Sequence, residues 1–191
     1  MHLNLTTIPR EQMWSRHVVE VLELLEVAAP AQGIRVVDVG SGGGVPGVVL
    51  AILRPDLRVT MLESDVRKSG FLIHVAGLLR LRRVEVDTVR AEDAGRRPGS
   101  RETFDLATSR AAAPPDVLIE LALPLLRIGG SLCALVADAS ATLASCAAAS
   151  AACGGGVPEA PVDGVLRVEK VSPTPAGYPR RSGVPGRRPI S

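Results

Sequence analysis

Short β-branched runs alternate with longer helical patterns along this chain, the signature of βαβ units feeding a parallel sheet. Arg35 to Val39 (RVVDV) predicts a first strand and Arg58 to Leu62 (RVTML) a second. Val84 to Val89, Phe104 to Thr108 and Ser131 to Val136 predict three more. Between them, Pro46 suits the first turn of a helix carrying Val48, Val49, Leu50, Ile52 and Leu53. Val66 to Arg80 places Phe71, Val75 and Leu78 or Leu79 at helical spacing. Pro115 opens a helix through Val117, Leu118, Leu121 and Leu125, which the internal Pro124 kinks or ends. The Ala-rich stretch Ala139 to Ala152 reads as a small-residue helix stopped by Gly154-Gly155-Gly156. Extended pieces around Val157 and from Val165 to Val171 suit a closing hairpin, and a helix from about Arg10 to Val27 lies outside the alternation.

Composition narrows the class. At 191 residues the chain is one domain's worth. Hydrophobic residues at 46% and charged residues at 22% argue against disorder. Aromatics at 2% leave the core to Val, Leu, Ile and Ala. The 22 basic side chains include only two lysines, Lys68 and Lys170, and the net charge of +2 excludes a histone-like polycation. Cys133, Cys146 and Cys153 have neither disulfide-framework nor CxxC spacing, and with three histidines a structural zinc is not expected, so no metal is assigned. The opening MHLNLTTIPREQMW lacks a secretory pattern, and no run approaches the roughly 20 apolar residues of a membrane span. The expectation is a cytoplasmic protein with no membrane partner. It divides into an N-terminal helical segment (1–30), a core (31–171) and a basic Pro/Gly-rich tail (172–191) outside that core.

In an open α/β sheet, ligands bind beyond the carboxyl ends of the strands. After the first strand comes Gly40-Ser41-Gly42-Gly43-Gly44, where missing side chains expose backbone N–H groups and a helix start. After the second comes Glu63, whose carboxylate can accept from both hydroxyls of a ribose. Arg90-Ala91-Glu92 follows the third strand and Ser109-Arg110 the fourth. Taken singly, the glycine cluster could be a tight turn and Glu63 a helix cap. Together, four strands ending in such signals at one rim describe a nucleoside site. Val45 stands where the dinucleotide fingerprint G-x-G-x-x-G has its third glycine, which favours S-adenosylmethionine over NAD.

At this point the residues resemble a family: the bacterial 16S rRNA guanine-N7 methyltransferases of the RsmG or GidB type. The matching segments are Asn4-Leu5-Thr6, Arg16-His17, VDVGSGGGVPG (Val37 to Gly47) and LESDVRKSGFL (Leu62 to Leu72). Arg90-Ala91-Glu92, FDLATSRA (Phe104 to Ala111) and YPRRSGVP (Tyr178 to Pro185) complete them, in order along nearly the whole chain. The resemblance implies a Rossmann-like class I methyltransferase, an α/β fold with a mostly parallel seven-stranded sheet and helices on both faces. It implies S-adenosyl-L-methionine as cofactor, with Gly40, Gly42 and Val45 at its methionine part, Glu63 at the ribose, and Ala91 and Glu92 at the adenine. Arg110 would sit beside cofactor and target base, and is the one candidate catalytic residue. Lys68 falls on a basic helix position expected to meet RNA, against a solvated face as the competing reading. The sequence departs from the family in three places. It begins almost at the Asn-Leu-Thr segment, has Val136-Ala137 where a Lys-Gly pair is typical, and has Glu20-Val21 where Asp-Ser is common.

From Ser172 to Ser191 the charged side chains are Arg180, Arg181, Arg187 and Arg188, with no acid. Guanidinium binds phosphate bidentately, so these four are candidate RNA contacts, against a solubilising tail. The expected partner is 16S rRNA or the small ribosomal subunit, and the expected reaction methylation of a guanine N7. Two alternatives stay open: a non-catalytic RNA-binding protein of the same fold, and methylation of another RNA or a small molecule.

Overall fold

The computed structural model describes residues 5–190; Asn4 of the Asn-Leu-Thr segment and the terminal Ser191 lie outside the described residues. The N-terminal helical stretch starts as a tight turn at Arg10–Gln12, widens to π geometry over Ser15–Val19 and continues as α1 (Glu20–Ala28). The alternation then follows: β1 (Arg35–Val39), α2 (Gly47–Leu53), β2 (Arg58–Leu62), α3 (Val66–Leu78), β3 (Val84–Asp87), α4 (Ala91–Ala94), β4 (Phe104–Arg110) and α5 (Pro115–Ala122). Pro124 ends α5 as expected, inside a single tight turn before β5 (Leu126–Leu135). Then come α6 (Ala139–Ala152), the strands β6 (Glu159–Val162) and β7 (Val165–Glu169), and the short α7 (Val184–Arg187).

The seven strands lie in the order β3-β2-β1-β4-β5-β7-β6. All pairs are parallel up to β5, and β7 runs antiparallel to both β5 and β6. The closing hairpin is therefore real, though its first strand starts at Glu159 and not around Val157. The order steps one way from β1 through β2 to β3, then restarts at β4 on the other side of β1. That reversal opens a crevice at the carboxyl ends of β1 and β4.

Both sheet faces are covered, which is why the strands read as almost unbroken apolar runs. Successive side chains alternate between faces. Val36, Leu106 and Cys133 pack into one core with α1, α2 and α3, while Val37, Ala107 and Leu132 pack into the other with α5 and α6. The alanines of α6 let that helix lie close against α5. Few aromatic rings contribute. Trp14 stands 70% exposed on the N-terminal stretch, and Tyr178 packs onto the α5–α6 core.

Residues 172–190 depart from the expected free tail: they are strapped to the core. Lys170 is fully buried, and its ammonium donates to Leu123 O at 2.8 Å and to Thr174 Oγ1, with Glu102 Oε1 at 3.3 Å. The Thr174 amide donates to the same Glu102 oxygen at 2.7 Å. Arg101 donates to the carbonyls of Thr174 and Tyr178, each at 2.7 Å. Pro/Gly content marks where regular structure stops, and here it was no guide to whether the backbone finds partners. Lys170→Ala should lower unfolding stability by about 3 kcal/mol, because the Leu123 carbonyl and the Glu102 carboxylate lose the buried ammonium and a cavity opens. Urea unfolding measures this, and a loss below about 1 kcal/mol would show that the buried lysine is not an anchor.

Candidate functional site

The floor of the site is a hydrogen-bonded loop. Gly40 and Ser41 both donate their amides to Leu62 O, at 2.9 and 3.0 Å, tying the end of β1 to the end of β2. Gly40, Gly42 and Gly44 have φ of +70°, +51° and +91°, a region that glycine enters without strain. Space is tight beneath Gly40, where an added Cβ would lie 2.5 Å from Ala112 Cβ. Above Gly42 it is open: an added Cβ would meet only Gly40 O, at 3.8 Å. The loop is thus a cradle that a side chain would fill.

Glu63, nearly buried, spans the loop and the next helix. Its Oε2 accepts from Gly42 N at 2.9 Å and its Oε1 from Asp65 N at 2.8 Å. Each oxygen retains a further lone pair, so Glu63 braces local backbone and keeps acceptor capacity. Asp65, not Glu63, caps α3, accepting from the amides of Arg67 and Lys68.

Beneath the loop lies a residue that the reading of the rim passed over. Asp38 is fully buried in β1, registered between Met61 of β2 and Thr108 of β4. Its Oδ1 accepts from Thr108 Oγ1 at 3.0 Å and its Oδ2 from Gly47 N at 3.2 Å. Burial pushes this carboxyl up to about 6, against the opposing hydrogen bonds from Ser41, Thr108 and Gly47. The signal was present as a lone charge inside the apolar run Val36 to Val39.

On the far wall, Glu92 is 2% exposed. Its Oε1 accepts from Arg90 at 3.1 Å and from Gly183 N at 2.9 Å, while its buried Oε2 has no partner. Burial alone would raise this carboxyl; the Arg90 and Gly183 hydrogen bonds outweigh it and hold it below the usual range. At the near wall, Arg110 donates to His17 Nδ1 at 3.0 Å and to Arg16 O, and pairs with Glu20 at 3.2 Å. Burial, and then the Arg110 charge, lower the His17 pKa. Since guanidinium has no acceptor, Nδ1 accepts, and the proton sits on Nε2, 3.4 Å from Thr6 Oγ1. Glu20, at one of the departures from the family pattern, is therefore the carboxylate that holds Arg110.

These walls enclose one cleft of about 1470 Å³ at the carboxyl edge of the sheet. Gly40, Gly42, Val45, Glu63, Lys68, Ala91, Glu92 and Arg110 all line it, as do Val136 and Ala137. Arg180, Arg181, Arg187 and Arg188 do not. Arg180 departs furthest from expectation, because its guanidinium and amide are bound to Glu120, a carboxylate 1% exposed within α5. That fork is committed to the protein and not free for phosphate. Arg181, Arg187 and Arg188 are exposed. Among the described residues no cluster of His, Cys, Asp or Glu is arranged to hold a metal, and no helix is long and apolar enough to cross a membrane.

The residues present fit S-adenosylmethionine: a glycine cradle for a backbone-bound chain, a double acceptor after β2, and a buried acceptor oxygen without a donor after β3. Comparison with known proteins agrees. The sequence model described as rRNA small subunit methyltransferase G matches residues 1–162. "Ribosomal RNA small subunit methyltransferase G" of Moorella thermoacetica is 38% identical, over 98% of this chain and 83% of its own. The protein of the same name from Roseiflexus castenholzii is 42% identical, over 100% of this chain and 85% of its own. Among solved structures, a SAM-dependent O-methyltransferase from Thermotoga maritima aligns with TM-score 0.65 at 13% identity, covering 81% of this chain and 65% of that one. A 16S rRNA N2-methyltransferase from T. Thermophilus, in complex with AdoMet and guanosine, aligns with TM-score 0.55 at 21% identity, covering 82% and 40%. At such identities these two establish the fold alone.

The buried carboxyl makes a pH prediction. Because the folded Asp38 binds its proton more tightly than the unfolded chain does, its contribution to stability is greatest near pH 4 and is lost as pH rises to about 6. Asp38→Asn can still accept from Gly47 and donate to Thr108. Its stability relative to wild type should therefore improve by roughly 2–3 kcal/mol between pH 4 and 7. Urea midpoints across that range decide it; a constant difference would mean that Asp38 does not titrate there.

Proposed function

Because the chain belongs to the rRNA small subunit methyltransferase G family, we propose that it transfers a methyl group from S-adenosylmethionine to N7 of one guanine in 16S rRNA. The observation that carries this reading is the convergence of the Gly40–Gly44 loop, Glu63 and Glu92 on one cleft. Glu63 accepts the ribose hydroxyls, Gly40, Gly42 and Val45 border the methionine part, and Ala91 with Glu92 takes the adenine. Arg110, held by Glu20 and His17, borders both cofactor and target base. When bound, the cofactor supplies an electrophilic sulfonium methyl group.

Guanine N7 carries a lone pair and no proton, so the reaction asks the protein for alignment and for exclusion of water, not for a base. The one histidine bordering the cleft among the described residues, His17, has its acceptor nitrogen engaged by Arg110. The base must leave its stack to reach the cleft. Lys68 at the cleft edge and exposed Arg181, Arg187 and Arg188 supply phosphate contacts. The substrate class points to the cytoplasm, with 16S rRNA or the small subunit as partner.

The direct test is incubation with labelled S-adenosylmethionine and either rRNA or small subunits, followed by aniline cleavage to map 7-methylguanosine. Label at a single guanine is expected; label on any other atom or no transfer overturns the N7 assignment. With no proton to remove, the single-turnover rate should stay flat from about pH 6.5 to 8.5, and His17→Gln should leave that shape unchanged. A rate climbing tenfold per pH unit, flattened by the substitution, would reveal a base.

Removing Arg181, Arg187 and Arg188 together should reduce the log–log salt slope of RNA binding by up to about 2, at roughly 0.7 per single-strand phosphate. Filter binding between low and moderate salt measures it. An unchanged slope would return these arginines to a solubilising role.

A further inference from the structure

The strap over residues 172–190 makes its most specific contact at the cleft wall. Two donors converge on Oε1 of Glu92 and none reaches Oε2. One of them, the Arg90 guanidinium, is half exposed and long, so it tolerates many carboxylate orientations. The other is the backbone amide of Gly183, whose position is set by its neighbours. Arg180 forks onto Glu120, with its own amide donating to Glu120 Oε1 at 2.8 Å. Pro179 packs against Gly95, where an added Cβ would lie 3.0 Å from the proline ring. Arg181 O accepts from Val184 N at 2.9 Å, closing the turn that carries Gly183 at φ +76°. Pinning one oxygen to an amide of fixed position restricts where the carboxylate can place the other, and a buried acceptor left without a donor is unfavourable.

We propose that the C-terminal strap is part of the cofactor site, with Arg180 a positioning residue that, through Glu120, holds the Gly183 amide on Glu92 Oε1 and so aims Oε2 at the exocyclic amino group of the adenine. This rests on the reading of Ala91 and Glu92 as the adenine contact. It gives Arg180 a role different from that of Arg181, Arg187 and Arg188, although all four belong to one basic cluster in the sequence. The strap selects for adenine and does not take part in methyl transfer.

Calorimetric titration with S-adenosylhomocysteine and S-inosylhomocysteine reads this directly, because inosine replaces the amino donor with a carbonyl oxygen. The wild-type protein should prefer the adenosyl compound by about tenfold or more, the worth of one hydrogen bond to a charged group. Two variants test the strap. Glu120→Gln with Arg180→Gln exchanges the buried ion pair for neutral amides without stranding a charge. Gly183→Ala strains the turn while leaving the pair intact, and its Cβ meets nothing closer than Arg187 at 3.7 Å. Thermal melting confirms that each is folded. Both should lower the adenine preference to within about threefold and raise KM for the cofactor, with kcat at saturating cofactor nearly unchanged. Arg180→Lys, which keeps the charge but not the fork, should fall between them and wild type. Folded variants that keep the wild-type preference would overturn the positioning role. If Glu92→Ala itself leaves the preference intact, the adenine assignment falls, and the proposal with it.

Discussion

A carboxylate that never meets the solvent fixes the geometry of the cleft. Asp38 takes the hydroxyl of Thr108 from β4 on one oxygen and the first amide of α2 on the other. It thereby joins the two strands between which the crevice opens to the helix that follows the glycine loop. Gly47 must be glycine for this to work, since an added Cβ would lie 2.7 Å from Asp38 Oδ2. The loop above has its first amides tied to Leu62 O and the Gly42 amide tied to Glu63, with open space over Gly42. Burial works against the charge on this carboxyl of Asp38, and its hydrogen bonds to Thr108 and Gly47 oppose that cost.

The two walls use another device. With so few aromatic rings, the chain uses arginine to bridge distant segments, each guanidinium reaching several acceptors at once. Arg110 binds the N-terminal helical stretch to the end of β4, Arg101 holds the strap's carbonyls, and Arg180 holds the strap to α5. Much of the positive charge that a composition count attributes to nucleic acid is thus spent inside the protein. Arg181, Arg187 and Arg188 keep theirs at the surface. Position in the fold, not local sequence, separates the two groups.

Strand and helix positions were legible because burial on both sheet faces writes itself as unbroken apolar runs, and glycine at the rim marks where a backbone turns left-handed. Every cofactor-site residue named from the sequence lines the cleft. What was not legible depended on pairings distant in sequence. Glu120 looks like a stray charge among the apolar positions of α5 until Arg180, 60 residues later, lies beside it. Lys170 and Thr174 read as the edge of a tail because nothing local says that Glu102 waits beneath them. Asp38 could have been found: a single carboxylate inside a buried strand has to be hydrogen-bonded, and the segment that follows it is where its partners belong.

The scarcity of aromatic rings has a spectroscopic consequence. The chain holds one tryptophan and one tyrosine. Trp14 stands on the N-terminal stretch whose Met13, Arg16 and His17 line the cleft, and Tyr178 lies in the strap whose Gly183 amide holds Glu92 on the opposite wall. Intrinsic fluorescence is therefore nearly blind to the sheet and reports the two flanking segments separately. Tryptophan emission follows the N-terminal stretch, tyrosine emission the strap, and energy transfer from one to the other the distance across the cleft. Without any label, this protein carries a donor and an acceptor on the two pieces of chain that frame its site.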